Sequence, residues 1–134
     1  MRISQALIDE IVAHAREDLP NECCGMVGGV DGEARTVYRA RNEFESPLRF
    51  GVDSNDLFRI TQKEMPQRGE ELVAIYHSHT KSAAYPSQTD VNMANGSWPD
   101  AIWIIVSLED EAVPDVKAYW LKDLEISDAE LVVG

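Results

Sequence analysis

Apolar side chains at Ile3, Leu7, Ile8, Ile11, Val12, Ala15 and Leu19 recur at the three-to-four-residue interval of one helical face. Ser4 is placed to cap that helix, with Ile3 and Ile8 set as a hydrophobic staple, so the pattern predicts an amphipathic helix over 5–18. Pro20 and Asn21 end it. The period then changes: Cys23 to Val30 is a run of small and apolar residues that reads as a buried strand, Asp31-Gly32 is a hairpin turn signal, and 34–40 forms the returning strand around Val37 and Tyr38. Residues 41–49 have no period and are polar, which suits the lining of a groove. Asp53 or Ser54 can cap a second helix reaching about Met65, with Leu57, Phe58 and Ile60 inward and Pro66 and Gly69 closing it.

The second half of the chain is dominated by strands. The apolar run 72–76 predicts a strand from Leu72 to His77, 101–107 is uniformly apolar as in a central strand covered on both faces, and 115–121 alternates through Val116, Ala118 and Trp120. Between the first two lie a polar, proline-containing loop and a helix starting at Ser87 and ending near Gly96. Asp110 and Glu111 mark a turn, and the acidic tail after Lys122 closes with Leu131-Val132-Val133, a candidate edge strand. Without repeats or linkers, this order predicts a single α/β domain over 1–134, a mixed β-sheet flanked by helices in a layer sandwich.

Composition removes several classes of function. Acidic residues outnumber basic ones 24 to 12, giving a net charge of -12, and no basic patch exists to hold nucleic acid. No apolar run approaches the ~18 residues needed to span a bilayer, and the first residues lack the apolar core of a signal peptide. Cys23 and Cys24 are adjacent, so a bridge between them would be strained; a reducing cytoplasm is the expected setting. The acid surplus is compatible with a salt-rich habitat, a basic partner or simple solubility, and the oligomeric state is not legible.

The chemistry concentrates between Tyr76 and Asp90. His77 and His79 stand two apart on a predicted strand and therefore project from one face, within reach of one ion. Asp90, at the start of the next helix, can supply a third ligand, and two His with one Asp leave the fourth position of a tetrahedral zinc open for water, as in catalytic sites. Each piece also has a plain explanation. Ser87-x-x-Asp90 matches a helix capping box, the histidines could meet solvent at a strand end, and Glu22 could be an ordinary surface carboxylate. His14 reads as a surface residue interacting with the helix dipole, and the two cysteines as packed thiols, although zinc does accept cysteine.

Taken jointly, the spacing His-Ser-His, seven residues, Ser, two residues, Asp, with Glu22 upstream at the first strand, resembles the JAMM motif of the JAB1/MPN/Mov34 metalloprotease family. The resemblance covers nearly the whole chain. It implies a JAB1/MPN domain with a cytidine-deaminase-like layer sandwich, one zinc per chain held by His77, His79 and Asp90, Glu22 as catalytic proton carrier and Ser87 as oxyanion stabiliser. Thr80 stands where a proline is frequent in the family, a position that carries no ligand. The segment 76–90 is most similar to the bacterial Mec+ branch, which removes cysteine from the C-terminal glycine of a small ubiquitin-like sulfur-carrier protein. That likeness implies a carrier ending in Gly-Gly as partner and a small leaving group whose carboxylate Arg41 or Arg49 could meet; a site at a strand end beside the 41–49 loop suits an extended tail entering as an added strand or lying in a narrow groove. Competing expectations are an isopeptidase of broader, deubiquitinase-like specificity, a non-catalytic MPN interaction module, and a small-molecule hydrolase. The Pro-Cys-x-x-Cys signature of the deaminases is absent.

Overall fold

A computed structural model describes residues 1–134 as eight strands in one sheet with helices on both faces. After a two-residue strand β1 (Arg2–Ile3), helix α1 (Gln5–Glu17) begins at Ser4, whose side chain accepts the Leu7 amide at 3.2 Å. The hairpin β2 (Cys24–Val30) and β3 (Glu33–Ala40) turns at Asp31 and Gly32, both at positive φ (51° and 75°), as a two-residue type I′ turn requires. A loop through Phe50 leads to α2 (Ser54–Arg59), capped by the Asp53 side chain. A π-helical turn, Ile60–Glu64, joins it to the short α3 (Met65–Gln67). Then come β4 (Glu71–His79), α4 (Gln88–Ala94), β5 (Ile102–Ser107), β6 (Asp115–Lys122), β7 (Glu125–Asp128) and β8 (Val132–Val133).

The strand order is β7-β6-β5-β4-β2-β3-β1-β8, with β4 and β5 parallel at the centre, β1 parallel to both β3 and β8, and the other pairs antiparallel. Alternation along these strands builds two separate cores. On one face α1 buries Ile8, Ile11 and Ala15 against Cys23, Val27, Ala74, Tyr76, Ile104 and Val106. The other face packs Ile60, Met65, Val91 and Ala94 against Cys24, Met26, Ile75, Trp103 and Ile105. Burial of such side chains contributes about 1.5–3 kcal/mol each. Cys23 and Cys24 thus enter opposite cores as free thiols, and burial pushes the Cys23 thiol up to about 12. Gly25 is needed where it stands, because a Cβ there would lie 2.4 Å from the Tyr76 ring.

Several expectations change. Strand β4 runs two residues beyond its predicted end, so both histidines belong to the ladder, and His79 pairs with Ser107. Phe58 is exposed rather than inward, since Leu57 and Ile60 already occupy the helix face that meets the sheet. Pro66 does not close the second helix. Lacking an N–H, it cannot bond the carbonyl four residues back, and the chain widens into a π turn, with the Met65 amide bonding the Ile60 carbonyl, before stopping at Gly69 (φ 67°). His14 is not on the surface: its Nε2 lies 3.3 Å from Asp18 Oδ2, and its Nδ1 accepts the Tyr76 hydroxyl at 2.6 Å inside the α1 core.

Candidate metal centre

Residues 75, 77 and 79 of β4 face the layer formed by α2, α3 and α4, whereas Tyr76 and Ser78 face α1. Ser78 is used structurally, its Oγ accepting the Cys23 amide at 2.8 Å while its own amide bonds the Cys23 carbonyl. The register places His77 beside Cys24 of β2 and Ile105 of β5, in the middle of the sheet, and it is fully buried. The Phe50 ring stacks on the His77 imidazole at 4.2 Å, and Trp103 meets it edge-on.

Asp90 arrives from the first turn of α4. Its Oδ2 lies 3.2 Å from His77 Nε2 and 3.0 Å from His79 Nε2, and the two imidazole nitrogens are 3.2 Å apart. The same Oδ2 accepts the Ser87 amide at 2.9 Å, while Ser87 Oγ accepts the Asp90 amide at 3.1 Å. The capping box and the cluster are therefore one arrangement: the cap fixes the carboxylate that faces the histidines.

Three potential ligand atoms converge on one point. His79 Nδ1 donates to the Ala83 carbonyl at 2.9 Å, which leaves Nε2 of the neutral ring with a lone pair pointing into the triangle. Burial lowers the pKa of His77 despite the nearby Asp90 charge. For His79, burial is outweighed by Asp90 and the Ala83 carbonyl, and its pKa rises. Burial would raise Asp90, but the imidazoles of His77 and His79 and the Ser87 amide hold its carboxyl well below the usual range. Donors of a tetrahedral zinc with bonds of 2.0–2.1 Å stand about 3.3 Å apart, close to the spacing seen, so these residues fit such an ion.

Glu22 lies just before β2, nearly buried, with no hydrogen-bond partner for Oε1. Burial raises its pKa to about 8, and the charges of His79 and Asp90 act on it in opposite senses. Its backbone is fixed twice: the amide donates to the Ser46 carbonyl at 2.9 Å, and the carbonyl accepts Asn42 Nδ2 at 3.1 Å. The loop after His79 is clamped at three successive carbonyls, Ser82 by the Ser107 hydroxyl, Ala83 by His79 and Ala84 by the Tyr119 hydroxyl. Thr80 Oγ1 donates to the Pro47 carbonyl at 3.2 Å and joins this loop to the loop 41–52. Asn42, Phe50, Ser107 and Tyr119 were not singled out by the sequence. The largest cavity, about 600 Å³, meets the site at Glu22 rather than at the histidines.

A mixed sheet between helical layers, with two strand histidines and a helix-borne aspartate turned onto one point, is the architecture of a JAMM-type metalloprotease. The family of prokaryotic homologues of the JAB domain matches residues 4–122. The CysO-cysteine peptidase of Mycobacterium tuberculosis is 36% identical over 124 residues, covering 91% of this chain and 83% of that protein. The desampylase of Haloferax volcanii is 36% identical over 107 residues, 74% of each. A solution structure of a protein from Desulfitobacterium hafniense superimposes with a TM-score of 0.89 at 29% identity, covering 99% of this chain and 92% of that one. The chain belongs to the prokaryotic JAB-domain family, and it is a hydrolase, a metalloprotease.

Proposed function

We propose that this chain is a zinc-dependent peptidase that hydrolyses the amide after the C-terminal glycine of a small ubiquitin-like sulfur-carrier protein and releases cysteine. The observation that carries the reading is the buried triangle of His77 Nε2, His79 Nε2 and Asp90 Oδ2 beside the unpartnered Glu22 carboxyl. In this reading those three residues hold one zinc per chain, which when bound polarises the substrate carbonyl and brings the pKa of water down toward ~7.

Glu22 accepts the proton of the attacking water and returns it to the nitrogen of the departing amine. Its carboxyl is nearly buried and its Oε1 has no other partner, so it is free to take up that proton and hand it on. Ser87 donates its hydroxyl hydrogen to the developing oxyanion, an interaction typically worth ~3 kcal/mol. Capping leaves it free to do so, because Oγ accepts the Asp90 amide through a lone pair and keeps its hydrogen. The carrier tail, extended and ending in Gly-Gly, lies between the loops 41–52 and 80–86, where only small side chains pass the buried histidines.

The name of the M. tuberculosis relative supports cysteine as the leaving group, and its match spans 91% of this chain. An isopeptidase acting on modifier-protein conjugates is the second reading, favoured by the H. volcanii relative named desampylase, whose match is shorter at 74%. No helix is long and apolar enough to cross a membrane; a reducing cytoplasm, in which the free thiols of Cys23 and Cys24 persist, is the proposed setting. Mass spectrometry of a synthetic carrier-cysteine adduct incubated with the zinc-loaded protein tests the assignment. Loss of the cysteine mass with the carrier otherwise intact is expected. An adduct left whole while Lys-linked isopeptides are cut would transfer the assignment to the second reading.

A further inference from the structure

We infer that Arg41 reads the free α-carboxylate of the leaving amino acid, an inference that rests on the peptidase reading above. Glu22 forms part of the wall of the roughly 600 Å³ cavity, together with Arg39, Arg41, Arg59 and Asn42. Because Glu22 hands its proton to the departing nitrogen, whatever is attached to that nitrogen lies on the Glu22 side of the scissile bond and occupies this cavity. Its wall contains a single hydrophobic residue and, besides the arginines, the carboxyls of Glu17, Asp18, Glu45 and Asp56, so it suits a small group carrying both charges, as a free amino acid does, rather than an apolar side chain or a folded protein.

Three guanidinium groups reach the cavity, and two are committed. Arg39 is held in a tight pair with Glu17, and Arg59 is bound by Glu64 and, at 3.3 Å, by Asp56. Arg41 has only long contacts, 3.4 Å to Asp53 and 3.7 Å to Asp56, and its side chain is 74% exposed. It retains donors that a carboxylate can take in the planar two-point fashion peculiar to arginine. Its backbone is nevertheless fixed, since the Arg41 amide donates to Asp56 Oδ2 at 2.8 Å and the next residue, Asn42, holds the Glu22 carbonyl. Arg41 therefore has a mobile head on an anchored stem, one residue from the side chain that fixes the Glu22 backbone. Arg49, the other arginine of the loop, lies outside the cavity with its guanidinium 3.9 Å above the Phe44 ring.

Two adducts of the carrier separate the possibilities, one ending in cysteine and one in cysteinamide, each assayed for kcat/KM with the zinc-loaded full chain. The parent is expected to favour the free acid at least tenfold. Arg41→Met should bring the ratio close to one, Arg41→Lys should restore part of it, and Arg49→Met should keep it. The carboxamide rate within each variant serves as its own reference, so a loss of folded protein cannot mimic the change in ratio. Equal rates on the two adducts in the parent, or a preference undiminished in Arg41→Met, would overturn the inference while the cleavage itself upheld the proposed function. Cleavage of neither adduct would remove the inference together with that function.

Discussion

The Asn42 side chain donates to the Glu22 carbonyl at 3.1 Å and so ties the loop after β3 to the residue that precedes β2. The same amide nitrogen reaches the Arg49 carbonyl at 2.9 Å, and Oδ1 accepts the Phe44 and Gly51 amides. One buried side chain thereby organises the loop that also delivers Phe50 onto His77. Asn42→Ala should cost about 2 kcal/mol of stability, because four backbone groups lose a partner and not all can reach water. It should also lower kcat/KM at least tenfold with zinc content retained. Urea unfolding and metal analysis of the same preparation check the two halves together.

Glu22 carries a folded-state pKa of about 8 against an ordinary value near 4.5, because it is buried. A raised pKa means the folded protein binds the proton more tightly than the unfolded chain. Its contribution is complete below about pH 4.5 and is lost as pH rises through 8. In the metal-free protein, Glu22→Gln should therefore be the more stable of the two at pH 8, by on the order of 3 kcal/mol, with the gap vanishing near pH 4.5. Paired denaturant curves at the two pH values test this, and a gap that does not change with pH would show that Glu22 is ionised without cost. The same variant should retain zinc and lose turnover, since the amide has the shape of the carboxylate but cannot carry its proton.

Tyr119 sits far from Asp90 in sequence, yet its hydroxyl holds the Ala84 carbonyl next to the one that orients His79. Removing the hydroxyl should loosen the 80–86 loop and let the His79 ring rotate. Tyr119→Phe should weaken zinc binding about tenfold while leaving the core packing of the ring in place. Competition with a chelator of known affinity measures it.

Much of this was legible in the sequence because the signals were local. The apolar spacing marked α1, Asp31-Gly32 marked the hairpin, the uniform run 101–107 marked the central strand, and His-x-His with Ser-x-x-Asp marked the cluster. The misses came from interactions that skip along the chain. Strand β1 has two residues and exists only by pairing with β3 and β8. Strand β7 is polar and follows a turn at Asp123 and Leu124, both at positive φ without a glycine to announce it. Asn42 looked like any loop polar residue, since its partners at 22, 44, 49 and 51 meet only in space. His14 could have been found, for it lies three residues after Ile11 and seven after Leu7, on the stripe that faces the sheet.

The central claim is that His77, His79 and Asp90 hold the metal on which catalysis depends. Elemental analysis of the purified chain after zinc reconstitution and desalting tests it most directly, with His77→Ala and Asp90→Ala treated in parallel. One zinc per chain in the parent, reduced to a small fraction in either variant, is the predicted result. A parent that retains no stoichiometric zinc, or an Asp90→Ala variant that retains all of it, would contradict the account.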